Sequence, residues 1–340
     1  MVIQINPFQP HFWRSVTQLQ VGWGSSKVVL NDIDSPTERL IASLTLGIPD
    51  NQLETLMRQL KLTDVDAKQL LESLAPLLLT ADMAQPSELE LRDGELVRTT
   101  LVNQSDGYAK LADRASRRVW INHLNAAGAA IATGLAQARF TKLSTPDSAA
   151  VDQADSGTFW SVVQGVPRVS ALNYQLRQSN IPAEVTLASL ETAELAIFVE
   201  QLCLLPSQYA PLMNRGVPHL AVVFDPEGVT ISPLIVPGKT ACLYCLELHR
   251  IAIDPDWPVI ASQLVSNQTN FDDIAARAIA AAKTISVLTA WVDRGLVSNG
   301  LRWDAATGAI EIVTATPHPD CDCLLQRRLE QGEKPRALAS

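Results

Sequence analysis

Over the first 80 positions the hydrophobic pattern changes period once. Short β-branched runs at 2–5, 17–22 and 27–30, cut by Pro, Gly and Ser, predict three strands. Helical spacing follows. Ser35 stands as an N-cap ahead of Pro36, with Glu38 at the capping-box position and Leu40, Ile41 and Leu44 on one face; Gly47 ends the helix. Leu53, Leu56, Met57 and Leu60 mark a second helix, and Val65, Leu70, Leu71, Leu74 and Leu78 a third, capped by Thr63 or Asp64. The predicted order is strand-strand-strand-helix-helix-helix.

From 81 to about 115 the periodicity weakens and reads as a connector, with a possible strand at 96–102. Strand and helix then alternate: a strand at 118–121, a helix of small residues over 126–138, and a strand at 142–145. A helix at 166–178 and strands at 185–187 and 195–199 continue the alternation, which is the pattern of a doubly wound sheet. Residues 216–223 and 229–236 extend it, the second in antiparallel style after the turn at 225–228. A long helix over 272–294 and a hairpin from 300–303 and 309–313 close the sheet, which should therefore be mixed.

Composition narrows the function classes. The 340 residues are 47% hydrophobic and 19% charged, enough for real cores. A formal charge of -9 opposes phosphate backbones. Residues 1–80 hold six basic and eight acidic residues, a poor duplex binder, so no nucleic-acid partner is expected. The start MVIQINPFQPHFW is no secretory signal, and the most apolar stretch, 274–292, is interrupted by Arg277 and Lys283; the expectation is a cytoplasmic protein without a membrane partner.

Five cysteines in a reducing compartment point to metal or redox chemistry before disulfides. Cys242 and Cys245 form a CxxC pair, and Cys321 and Cys323 a CxC pair that can complete a four-thiolate shell. Structural zinc is the favoured reading; a redox CxxC and unmetallated buried thiols are the alternatives. The Pro-Gly turn before Cys242 speaks against redox use, since redox pairs usually open a helix. His318 can replace one sulfur or simply occupy a turn between Pro317 and Pro319. Cys203 reads as a small buried hydrophobe or, less simply, a nucleophile without a neighbouring base.

The stretch 236–246, Val-Pro-Gly-Lys-Thr-Ala-Cys-Leu-Tyr-Cys-Leu, together with the distant cysteine pair, resembles the ThiF/MoeB adenylyltransferases of the ubiquitin-activating-like fold. More narrowly, Asp254-Pro255-Asp256-Trp257-Pro258 with Gln263-Leu264, and residues 317–323, resemble the members that accompany YcaO-type cyclodehydratases in azoline and azole peptide biosynthesis. The resemblance implies a doubly wound Rossmann-like α/β domain over 116–330 with structural zinc. Before it would stand a small α+β winged-helix-like peptide clasp over 1–80 and a connector over 81–115; a disordered tail is expected over 331–340.

An active member would carry a G-x-G-x-x-G turn after its first strand, bare enough for ATP phosphates to reach the helix N-terminus. Here the turn reads Asn122-His123-Leu124-Asn125-Ala126-Ala127-Gly128, and only Gly128 remains. Asp147 matches the ribose-holding acid, although a solvated loop acid is an equal reading. The segment that should follow with arginine and asparagine is 149–154, and Glu200-Gln201 stand where the resemblance places a magnesium-binding aspartate.

These three departures argue against ATP as a cofactor and against catalytic residues. The implied function is that of a non-catalytic leader-peptide-recognition partner of a YcaO-type cyclodehydratase in bacteriocin-like peptide biosynthesis. The alternative is an active adenylyltransferase that activates a carboxy terminus. The clasp resemblance places the leader beside Lys27, Val28, Val29 and Leu30 and against Leu70 and Leu74. A homodimer is expected from the fold resemblance.

Overall fold

The computed structural model describes residues 2–324 apart from 156, 160–163 and 268. The tail expected over 331–340 lies outside the described residues. The chain divides into two compact units, 1–112 and 113–340.

The first unit begins with β1 (Val2–Ile3), β2 (His11–Ser15), β3 (Gln18–Val21) and β4 (Val28–Leu30). Next come α1 (Ser35–Leu46), β5 (Ile48–Pro49), α2 (Asp50–Leu60) and α3 (Asp64–Leu74), then α4 (Gly94–Asn103) and α5 (Gly107–Ser116), in which the unit boundary falls. Strands β2, β3 and β4 form an antiparallel sheet in that order, while β1 pairs with β5. Strand β2 escaped the sequence reading because its five residues are all exposed and the pairing slips between Trp13 and Ser15. The cap of α1 is Asp34, one residue before the expected Ser35, because its carboxylate accepts the Thr37 N–H at 2.9 Å. Gly47 ends α1 at φ 91° and Thr63 caps α3, both as expected. Helix α3 stops at Leu74 because Pro76 follows, so Leu78 lies beyond it.

One core joins Leu19, Val21, Leu30, Leu40, Leu44, Leu70 and Leu74. Residues 81–112, expected as a connector, fall in the first unit, and the strand expected at 96–102 is α4. Asp93 caps two N–H groups there, and Leu96, Thr99 and Thr100 are buried at helical spacing.

The second unit carries β6 (Arg118–Ile121), α6 (Ala126–Gln137), β7 (Lys142–Thr145), α7 (Arg168–Gln178), β8 (Glu184–Leu187), β9 (Leu195–Gln201), α8 (Pro206–Arg215), β10 (His219–Asp225) and β11 (Gly228–Ile231). It continues with α9 (Leu243–Ile253), α10 (Trp257–Leu264), α11 (Ile274–Arg294), β12 (Gly300–Asp304) and β13 (Ile310–Val313). These strands make an eight-stranded sheet ordered β13-β12-β11-β10-β9-β6-β7-β8. The five from β10 to β8 are parallel and the other three antiparallel, so the sheet is mixed.

Two buried clusters line this sheet. One takes in α6, α7 and α11; the other takes in α8 and the start of α9. The small residues of α6 serve a neighbour the pattern did not name: a Cβ on Gly134 would stand 2.4 Å from Ile285 Cδ1, so α6 and α11 approach closely. Helix α11 is long and apolar enough to cross a membrane by composition alone, yet Val287 and Leu288 are fully buried in the sheet's core. Inside the same unit Arg114 and Asp293 form a buried ion pair at 2.6 Å.

Candidate functional site

The chain runs outward from β6 to β8 and returns to β9 on the other side of β6, which makes the carboxyl ends of β6 and β9 the topological switch point where open α/β sheets bind ligands. Asn122 ties the two strand ends together. Its Oδ1 accepts the Val199 N–H at 2.7 Å, and its Nδ2 donates to Glu200 Oε1 at 2.8 Å. The same Glu200 oxygen accepts from Gln208 at 2.8 Å, with the His123 ring nitrogen 3.9 Å away. Burial is the main cause that raises the Glu200 carboxyl above its ordinary range, partly offset by His123 and the two amides. His123, Glu200 and Gln208 line a cavity of about 310 Å³ that also reaches Arg168 and Cys203.

The turn between β6 and α6 is where an anion would meet a helix N-terminus. Three of its N–H groups already have side-chain partners within the chain. Leu124 N–H donates to Asp147 Oδ2 at 2.7 Å, Ala127 N–H to Asp272 Oδ2 at 3.2 Å, and Gly128 N–H to Asn125 Oδ1 at 3.0 Å. Gly128 itself is required by packing: a Cβ there would lie 1.9 Å from the His123 carbonyl oxygen. No residue of this turn has positive φ, so the side chains at His123 and Asn125 cost no backbone strain.

Asp147 is buried, with Oδ1 accepting the Ala149 N–H at 2.8 Å. The reading of a solvated loop acid is therefore overturned. Both of its oxygens are engaged by the protein.

Arg168, at the start of α7, is the strongest cation in the cavity lining, yet it is surrounded by acids. Its Nε donates to Asp155 at 2.8 Å, and its terminal nitrogens stand 3.4 Å from Asp147 and 3.8 Å from Asp152. With Glu200 also present, the lining offers little net positive charge to a polyphosphate.

The cysteine pairs meet. Cys242 caps α9 and Cys245 lies in its first turn, while Cys321 and Cys323 bring the last described segment alongside. The CxxC thus does open a helix, contrary to the sequence argument that set it apart from redox pairs; the second pair is what distinguishes it. All four sulfurs lie within 4.8 Å of one another, with separations of 3.9 Å (242 to 245), 3.6 Å (242 to 321) and 3.5 Å (245 to 323). A tetrahedral zinc with Zn–S near 2.3 Å requires S···S of about 3.8 Å, so the cluster fits such an ion.

Electrostatics agree. Cys242 is drawn down to about 5, first by its hydrogen bond with Cys323, while Cys321 is pushed up to about 12, first by burial; Cys323 is raised as well, first by Cys242. Four thiolates can coexist here only around a cation. His318 is outside the cluster: its Nδ1 accepts the Asp320 N–H at 3.1 Å and its ring packs edge-on against His249. Cys203 is half-buried, and burial raises its thiol above the ordinary value, which leaves it protonated at neutral pH.

In the first unit, β4 pairs only with β3 among the described residues, so it is a sheet edge, and α3 packs against it. Lys27 is exposed and Val28 and Val29 are partly exposed. Leu30 (8% exposed), Leu70 (8%) and Leu74 (0%) are core residues and do not present a binding surface, because the helical i, i+4 pair Leu70 and Leu74 faces the sheet's buried side.

Solved structures of Escherichia coli MccB share this architecture. The form with ATP gives a TM-score of 0.66 at 13% identity, covering 95% of this chain and 99% of that one. The microcin C7 biosynthetic enzyme MccB in complex with N-formylated MccA gives 0.66 at 13%, covering 95% and 100%. PaaA gives 0.61 at 12%, covering 91% and 98%. The chain has the ThiF/MoeB-like fold. No family model and no curated protein matches the sequence.

Within this ThiF/MoeB-like fold, Gln208, Asp272 and Arg168 are residues of the site that the sequence reading does not single out. Asp272 lies far along the chain from the turn it caps, and only the packing of α11 on α6 brings it there. Arg168 had a weak signal, a basic residue opening a helix after Pro167, but its carboxylate partners are spread over 147–155.

Proposed function

We propose that this chain is a non-catalytic precursor-peptide-binding partner. It holds an unmodified ribosomal peptide by its leader and delivers the core to a separate YcaO-type cyclodehydratase, which spends ATP to cyclise Cys, Ser or Thr side chains onto the backbone. Its contribution is effective concentration and orientation. The observation that carries this reading is the turn at 122–128, whose Leu124, Ala127 and Gly128 N–H groups are held by Asp147, Asp272 and Asn125. A phosphate arriving there would have to displace two carboxylates. The open edge of β4 and the likeness to MccB structures that contain the peptide MccA support the peptide half of the reading.

In this reading zinc on Cys242, Cys245, Cys321 and Cys323 is structural. It draws all four thiols into the thiolate form and fastens residues 321–323 to α9. A homodimer belongs to the same reading and is checked by light scattering. The test of the whole is calorimetric titration of candidate leader peptides, taken from small reading frames beside the gene, into zinc-loaded protein. Saturable heat from one of them is expected, and none from any would overturn the peptide role.

A second reading, an active adenylyltransferase, draws on the cavity of about 310 Å³ beside the turn and on the MccB structure with ATP. ATP–pyrophosphate exchange dependent on a carboxy-terminal peptide would establish it.

A further inference from the structure

The three-stranded sheet of the first unit has an aromatic and basic outer face that adjoins the β4 edge. Leu19 and Val21 enter the core from β3, so Gln20 between them points to the opposite side. Phe12 pairs opposite Gln20, and Gln20 opposite Val29, which sets Phe12, Gln20 and Val29 in one row across β2, β3 and β4 on the outer face. The Trp23 ring packs edge-on against Phe12, with centroids 5.8 Å apart. Phe12 is 43% exposed and Trp23 72%.

Charge singles out the same region. Arg14 and Lys27 are both exposed, and positions 2–31 contain no Asp or Glu, in a chain whose net charge is -9. Aromatic side chains exposed together on a sheet with two exposed basic residues suit a partner that is apolar and acidic at once.

We propose that this outer face binds an extended acidic peptide segment, its apolar side chains resting on Val29 and on the Phe12–Trp23 pair and its carboxylates reaching Lys27 and Arg14. The inference rests on the peptide-binding reading above and narrows the leader to an acidic one.

The test uses the full-length protein and three fluorescein-labelled 12-residue peptides: Glu alternating with Leu and Phe, and the same peptide with Gln or with Lys in place of every Glu. Fluorescence polarisation should show the Glu peptide binding about 10-fold or more tighter than the Gln peptide. The double variant R14E/K27E should reverse the preference toward the Lys peptide. F12A/W23A should weaken binding of the Glu peptide about 10-fold or more. All four positions are exposed, so circular-dichroism melting of both variants should match the parent.

Equal binding of the Glu and Gln peptides, or unchanged binding in both variants, would overturn the proposal. The two levels separate cleanly. A natural leader that binds parent and both variants alike removes this face and keeps the peptide-binding role, with the β4 edge as its site. If neither a natural leader nor the Glu peptide binds the parent, both readings fall.

Discussion

The carboxylate of Asp272 accepts the backbone N–H of Ala127 at 3.2 Å, so an acid from the entry to α11 sits on the N-terminus of α6. Its other oxygen accepts no hydrogen bond and stands 3.8 Å from the Arg277 Nε. An anion from the chain itself thus holds the position where this architecture can receive a phosphate. Asp272→Ala frees the Ala127 N–H and removes the carboxylate beside Arg277, whose guanidinium keeps its bonds to the residue-272 carbonyl and to Thr158. The variant should gain a pyrophosphate-dependent rise in melting temperature that the parent lacks, and no such rise would mean that Asn125 and Asp147 keep the turn closed by themselves.

Packing requires a glycine at position 128. Because its missing Cβ would overlap the His123 carbonyl oxygen, Gly128→Ala should destabilise the fold by about 1–3 kcal/mol or more. Urea unfolding checks this, and a variant as stable as the parent would remove the steric argument.

Glu200 sets a pH dependence. Burial raises its folded-state pKa above the ordinary value, so between those two values the native state keeps a proton that the unfolded chain has released. Stability therefore falls as pH rises through that window and stays lower above it. Glu200→Gln keeps an oxygen to accept from Asn122 and Gln208 but carries no charge, and it should flatten that slope in a pH series of urea titrations.

Metal removal should act on the second unit. With Cys321→Ser the zinc content should fall well below about one ion per chain, and the melting of residues 113–340 should shift down. Cys203→Ser, which leaves the four-sulfur cluster whole, should keep both. Acidification should release the ion as well, because protons compete for all four sulfurs. Elemental analysis with calorimetry reads each effect; full metal content in Cys321→Ser would exclude a four-thiolate site.

Local signals explain what the sequence revealed. A CxxC pair after a Pro-Gly turn and a distant CxC pair are legible because metal ligation constrains residue type at each position, and the four sulfurs do converge. Strand-helix alternation is legible because the central strands are buried on both faces. What stayed hidden depends on partners remote in sequence. Nothing near Asp272 announces that its carboxylate caps Ala127, and nothing near Arg168 announces Asp147, Asp152 and Asp155. Strand β2 was missed because an exposed strand with a slipped register lacks the alternation that marks a half-buried one. The segment 96–102 reads as extended because the face of α4 it contains is partly polar, with Thr99 and Thr100 buried beside Leu96.

The central claim is that the phosphate position at the β6–α6 turn is filled by the protein and that the chain's ligand is a peptide. Its most direct test is a pair of calorimetric titrations into the zinc-loaded full-length protein, one with Mg-ATP and one with candidate leader peptides. The account predicts no saturable heat from Mg-ATP and saturable heat from a leader. Saturable Mg-ATP binding by the parent protein, accompanied by pyrophosphate exchange, would contradict it and return the chain to the adenylyltransferases.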